Sequence, residues 1–173
     1  MNRIVLIILM SLFSGVSSAT ELYDCLLQKY LEYSKSKEEW QIKSTEIIKS
    51  HSPALSDVVD IYMRDQLTLI EINYIADKLL LSSNPALVKI NGKLNNWLQL
   101  GHNDGQVLSA KSKKYDELLS QAKQNRKRES HPDGSELRNV MRSEIVNLPE
   151  FKRLLSEFTE KVNKLNNRVC SAT

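Results

Sequence analysis

The chain is 173 residues long, 41% hydrophobic and 26% charged, with a formal net charge of +3 at pH 7. That length holds one domain with a sizeable hydrophobic core, and a charge this close to balance gives no reason to expect nucleic acid or an anionic membrane as partner. With only 5 Gly and 4 Pro, a turn-rich β architecture and a disordered linker protein are both excluded.

The first element in chain order is a leader. Arg3 supplies a positive start, Ile4 to Phe13 form an almost unbroken apolar run, Gly15 is expected to end that helix, and Ser17-Ser18-Ala19 offer small residues for cleavage. This is the order of a secretory signal peptide, with a core too short for a permanent membrane helix. The expectation is therefore residues 1–19 as signal peptide, cleaved near Ala19/Thr20, and residues 20–173 as a single helical domain. That domain is expected to be periplasmic or secreted, with no transmembrane segment after cleavage. Its 2 cysteines are Cys25 and Cys170, and in an oxidising compartment two such residues are expected to pair. A lipid-bearing Cys25 fits poorly, because Tyr23 and Asp24 stand where small residues belong.

From Glu21 to about Ser50, Leu22, Leu26, Tyr30, Tyr33, Trp40 and Ile47 recur at helical spacings. Ser34 to Glu39 is polar on most faces and is expected to be only partly covered. Ser52-Pro53 is a helix start, with Ser as N-cap and Pro at the first position. The helix after it runs to about Leu81 and is apolar nearly all round, as in the buried centre of a bundle. Asn84-Pro85 opens a third, weaker helix to about Leu100, holding Gly92 and several Asn, with Leu87, Ile90, Leu94, Trp97 and Leu98 on one face. Gly101 to Gly105 reads as a loop, and Gln106 to Glu129 as a fourth helix with Val107, Leu108, Tyr115, Leu118, Leu119 and Ala122 inward. After a second loop, Ser130 to Gly134, Ser135 caps a short helix that Leu148-Pro149 interrupts. The last helix, Glu150 to about Val169, carries Phe151, Leu155, Phe158, Val162, Leu165 and Val169 at alternating spacings of four and three, the seam of a coiled-coil contact.

The expected fold is all-α: a single-domain bundle of about five to six helices, the first and last antiparallel and joined by a disulfide. Placing Cys25 opposite Cys170 pairs Leu26 with Val169, Tyr30 with Leu165, Tyr33 with Val162, Trp40 with Leu155 and Ile47 with Leu148. Two positions match badly in that register, since Lys37 meets Phe158 and Ser44 meets Phe151.

Chemistry-bearing patterns are few. His102-Asn103-Asp104-Gly105 and His131-Pro132-Asp133-Gly134 repeat a His-x-Asp-Gly motif. His102, Asp104, His131 and Asp133 can in principle ligate a metal or exchange protons. A helix of about 25 residues between the motifs would hold them roughly 35 Å apart. One His and one Asp fall short of a closed metal set, so turn chemistry is the leading reading and no metal or cofactor is expected. His131-Pro132-Asp133 after a basic helix resembles the J-domain co-chaperone signature in three residues alone. The upstream helix of that family, with its Tyr and Leu-Gly pattern, has no counterpart, and the family is not assigned. His51 is expected at a helix end, where the dipole favours it. No Gly-x-Ser-x-Gly elbow, no Cys near a His and no phosphate loop is present, so an enzyme is the minority expectation.

The one strong charge asymmetry is Lys111, Lys113, Lys114, Lys123, Arg126, Lys127 and Arg128. It reads either as a solvated helix face or as a surface for an anionic partner, and the lack of interleaved aromatics argues against nucleic acid. The leading expectation is partner-protein binding of the kind an immunity protein or an enzyme inhibitor performs, with an acidic protein, lipopolysaccharide or another polyanion as candidates for the cluster. The alternatives are an envelope structural or adaptor protein and, behind it, a small hydrolase or metal-dependent enzyme using a His-Asp loop.

Overall fold

The computed structural model describes residues 14–171. The apolar run on which the leader expectation rests, residues 4–13, lies outside the described residues. Within them the chain is all-α, with six α-helices. They are α1 (Ser14–His51), α2 (Ser56–Ser83), α3 (His102–Lys111), α4 (Lys113–Lys127), α5 (Gly134–Ser143) and α6 (Pro149–Asn167). α1 begins at Ser14, includes Gly15 as its second residue and is 38 residues long; the helix that Gly15 is expected to end lies outside the described residues. A single Gly costs a helix about 1 kcal/mol against Ala, which an element of that length tolerates.

Pro53–Leu55 forms a short 3-10 turn between α1 and α2. Ser52 and Asn84 were the expected caps, but neither side chain accepts a capping hydrogen bond. α2 is the central helix, packed along α1 and against α3, α4 and α5, while α6 lies principally along α1. No helix among the described residues is long and apolar enough to cross a membrane.

Two apolar cores occupy opposite ends of the α1–α2 pair. The larger gathers Leu26, Tyr30 and Tyr33 of α1, Ile72, Ala76 and Leu80 of α2, and Tyr115 and Leu118 of α4 around Trp97. The smaller joins Ile48, Val58, Leu137, Ile145 and Phe151. Between them the polar stretch of α1, Ser34 to Glu39, is only partly covered, as expected, with Lys35 and Glu39 exposed. Ser34, Ser36 and Ser44 are buried, and Ser36 and Ser44 send their hydroxyls to carbonyls of Glu32 and Gln41 on their own helix. Small side chains that satisfy themselves locally can sit in the packed middle of a helix.

The expected third helix, Pro85 to Leu100, is absent. Pro85–Leu87 and Leu94–Asn96 are 3-10 turns, and Val88 pairs with Leu98 across an antiparallel bridge. Gly92 and the asparagines have poor helix propensity. Tertiary contacts then win: Trp97 donates its indole N–H to the Gly92 carbonyl at 3.0 Å, and Val88, Leu94 and Trp97 are buried. The expected fourth helix is split at Ser112. This residue ends α3 and caps α4, its Oγ accepting the Tyr115 amide at 3.2 Å. α5 begins at Gly134 rather than after a Ser135 cap.

The antiparallel, disulfide-linked contact of α1 and α6 is present, with Cys25 bonded to Cys170. The register is close to expectation and differs in detail. Trp40 sits between Phe151 and Phe158, ring centroids 5.3 Å from each, rather than on Leu155. Leu155 is 45% exposed and Val169, beyond the helix end, 83% exposed. Both depart from the expected seam, because α6 has essentially one helix to lie on. The two poor matches are resolved locally, Lys37 placing its ammonium 5.5 Å from the Tyr33 ring centroid and Ser44 bonding its own helix.

Candidate functional site

α4 presents most of the basic cluster, with Lys111 at the end of α3 and Arg128 at the C-cap of α4. Tyr115, Leu118 and Ala122 turn inward onto α2, which leaves the cations outward at helical spacing. The seven divide by what they touch. Lys113 pairs with Glu117 at 3.5 Å, Lys114 with Glu71 of α2 at 3.3 Å, and Arg128 with Asp65 of α2 at 2.8 Å. Asn125 donates to the other oxygen of Asp65 at 2.8 Å. Lys114, Asn125 and Arg128 thus fasten α4 to α2. Lys111, Lys123, Arg126 and Lys127 are exposed and have no carboxylate partner among the described residues. Lys123, Arg126 and Lys127 stand at i, i+3 and i+4, neighbours on one face of the last turns of α4.

A second concave feature runs between α1 and α6. It is a cleft of about 820 Å³ floored by Ile47 and Leu154, with Glu46, His51, Glu150 and Arg153 on its rims. It narrows into a space of about 150 Å³ over Trp40 and Phe158. At that end Glu39 accepts from Lys43 at 2.7 Å and Lys161 at 2.9 Å, and these two ammonium groups hold its carboxyl down to about 2. His51 ends α1 as expected, with Nε2 2.8 Å from Glu144.

The two His-x-Asp-Gly motifs are not two equivalent loops. His102 to Gly105 is the first turn of α3, where Asp104 Oδ2 accepts the Gly101 amide at 2.6 Å. Asp104 is thereby a capping group, favoured by the helix N-terminus. His131 accepts the Asp133 amide at Nδ1, 3.2 Å away, and its ring stays 3.7 Å from the Asp133 carboxylate. Asp133 stands at the N-cap position of α5. Helix-start chemistry accounts for Asp104, whereas Asp133 occupies its N-cap position without a side-chain capping bond. No group of three or more His, Cys, Asp or Glu that could hold a metal occurs among the described residues.

Two buried ionisable groups escaped the sequence reading. Asp77 of α2 is 0% exposed, and neither carboxylate oxygen has a hydrogen-bond partner. Burial alone pushes its carboxyl up to about 7. The signal was present: Asp77 lies seven residues after Ile70 and three and four before Leu80 and Leu81, on the face those buried residues define. Lys29 of α1 is 6% exposed. Its ammonium donates to the carbonyls of Asn166 and Arg168 at 3.3 and 2.7 Å and lies 5.6 Å from the Trp97 ring centroid. Burial, then the nearby Arg168 charge, lowers its pKa. No protein-family model, curated protein or solved structure matches the chain.

Proposed function

We propose that this chain is an exported helical protein that acts by binding a partner protein, in the style of an immunity protein or inhibitor, through the free cations at the end of α4. The observation that carries this reading is the division of the basic cluster. Lys114 and Arg128 are neutralised by acids of α2, whereas Lys123, Arg126 and Lys127 face outward with no carboxylate partner among the described residues. Three unneutralised cations on adjacent turns favour an acidic surface and accelerate its approach. The Cys25–Cys170 bond supports export, since such pairs persist in oxidising compartments.

The test is capture from the exported fraction with wild type and a Lys123→Glu, Arg126→Glu, Lys127→Glu variant side by side. One species released by salt and lost on the variant is the expected result. Equal retention by both removes the cluster from the interface, and repeated absence of any retained species overturns partner binding. A structural or adaptor role in the envelope is the second reading. The partly uncovered Ser34–Glu39 stretch, where Lys35 and Glu39 are exposed, and the α1–α6 cleft lined by Ile47 and Leu154 support it. Leu154→Glu separates the two readings by weakening an adaptor contact while leaving a salt-sensitive α4 partner in place.

A further inference from the structure

Tyr62 of α2 is 41% exposed, a large ring left open to solvent. It stands one helical turn before Asp65, on the same face of α2. Asp65 is the residue to which the end of α4 is fastened, through Asn125 and Arg128 at 2.8 Å each. Tyr62 also meets the start of α5. A Cβ at Gly134 would lie 3.4 Å from the Tyr62 hydroxyl oxygen and 3.9 Å from Arg138 Nη1, so the phenol and that guanidinium lie against the same backbone position. The exposed ring thus joins α5 to the fastened end of α4.

The free cations do not stop at α4. Arg138 and Arg142 stand at i and i+4 of α5, both exposed and without a carboxylate partner among the described residues. From Lys123 to Arg142 the chain carries six cations against three acids, Glu129, Asp133 and Glu136. Asp65, the acid of α2 beside them, is already taken up by Arg128. Four residues beyond Asp65, Leu69 joins Ala122 and Arg126 in lining a hollow of about 80 Å³. Tyr62, Asp65 and Leu69 therefore form one stripe of α2 about 10 Å long, with Arg138 at its Tyr62 end and Arg126 at its Leu69 end.

Resting on the reading of the α4 cations as an interface, we propose that this stripe is the docking surface, with Tyr62 as its anchor and Arg138 of α5 as a second basic contact. The partner it fits is a protein that presents carboxylates around an exposed apolar side chain. Tyr and Arg together are the residues that carry most binding energy in protein interfaces. The ring contributes contact area through few rotatable bonds, and the guanidinium fork matches a carboxylate. Cations spread over two helices reach carboxylates at both ends of the stripe, which the end of α4 does not do by itself. A bare polyanion, held by charge alone, makes no use of the ring.

The probes are two nine-residue peptides with blocked ends, four glutamates on each side of a central leucine or glycine, titrated calorimetrically at low ionic strength. Wild type is expected to bind the leucine peptide about threefold more tightly than the glycine peptide. Tyr62→Ala is expected to erase that preference, and Tyr62→Phe, which keeps the ring, to retain it. Arg138→Ala is expected to weaken both peptides about threefold. Should Tyr62→Ala lose its helical circular dichroism, Tyr62→Gln replaces it. The Lys123→Glu, Arg126→Glu, Lys127→Glu variant is expected to lose both peptides. If it does, three results overturn the proposal and leave the α4 reading standing. They are equal binding of both peptides by wild type, as on a face that reads charge alone, a leucine preference that survives loss of the Tyr62 ring, and wild-type affinity in Arg138→Ala. Wild-type affinity in the triple variant, or no binding by wild type, overturns the α4 reading and this proposal with it.

Discussion

Lys29 on α1 donates to the backbone carbonyl of Arg168 at 2.7 Å, one helical turn from Cys25 and two residues from Cys170. The end of α6 leaves carbonyls without helical partners, and Lys29 supplies the proton donor that the helix itself lacks. Lys29→Met keeps the apolar stem and removes the donor. Leaving two partly buried carbonyls unsatisfied costs about 2 kcal/mol. Denaturant unfolding of Lys29→Met checks this, and an unchanged midpoint would show that water already serves those carbonyls.

The disulfide acts on the same junction by a different route. It closes a sequence separation of 145 residues, for which the chain-entropy model gives about 5 kcal/mol. Cys25→Ser with Cys170→Ser is expected to lose a comparable amount. Combined with Lys29→Met the total is expected to fall short of the sum, because both constraints hold one helix end. Strict additivity would show that the cap and the bridge are independent. Intact mass with and without reductant confirms the starting state, two hydrogens separating the forms.

The α1–α6 seam tests how far periodicity reaches. Heptad-like spacing on both helices, with the cysteine pair as anchor, leads to the right neighbours and the right direction. It does not resolve which apolar residue fills the space opposite Trp40. That is decided by two phenylalanines gripping one indole, ring centroids 5.3 Å away on each side, while Leu155 remains 45% exposed. Phe158→Ala is therefore expected to cost about 3 kcal/mol and Leu155→Ala under about 1 kcal/mol. Equal effects, read from thermal or denaturant midpoints, would restore the simple register.

Legibility failed where local pattern and tertiary packing disagree. Residues 85–100 carry helical spacing in Leu87, Ile90, Leu94 and Trp97, yet Gly92 and its asparagine neighbours leave too little propensity to hold a helix. Trp97 then fixes the backbone by bonding Gly92. The break at Ser112 was hidden because apolar residues continue on both sides, so a capping serine inside a long pattern looked like helix interior. In the basic cluster the residue types were visible but their partners were not, since Glu71 and Asp65 reach it from a helix far away in sequence.

That cluster makes its own prediction about stability. Arg128→Ala removes a contact to Asp65, whose partner Asn125 remains. The pair is partly exposed, so the cost is expected at about 0.5 kcal/mol. Lys127→Ala, having no internal partner to lose, is expected to be silent in unfolding. If Lys127→Ala destabilises as much as Arg128→Ala, the division of the cluster into fastening and free cations fails.

Asp77 gives the fold a pH dependence opposite in sign to that of a salt-bridged carboxylate. Its folded pKa, raised to about 7, lies above the ordinary 3.8, so between those values the native state binds the extra proton. Stability then falls as pH rises from about 4 towards 7 and levels off above. A shift of that size corresponds to a loss of up to about 4 kcal/mol. Glu39, held down to about 2 by Lys43 and Lys161, acts in the other direction, losing its contribution as pH drops from about 4 to 2. Its side chain is about half exposed, so solvent screens the pair and it contributes little. Urea midpoints measured from pH 4 to 8.5 are therefore expected to decline for wild type and to stay nearly level for Asp77→Leu, which should be the more stable protein at pH 8. A wild-type midpoint that rises through that window, or an Asp77→Leu variant weaker than wild type at pH 8, would mean the buried carboxylate has a partner in solution and that its burial is not what governs the response.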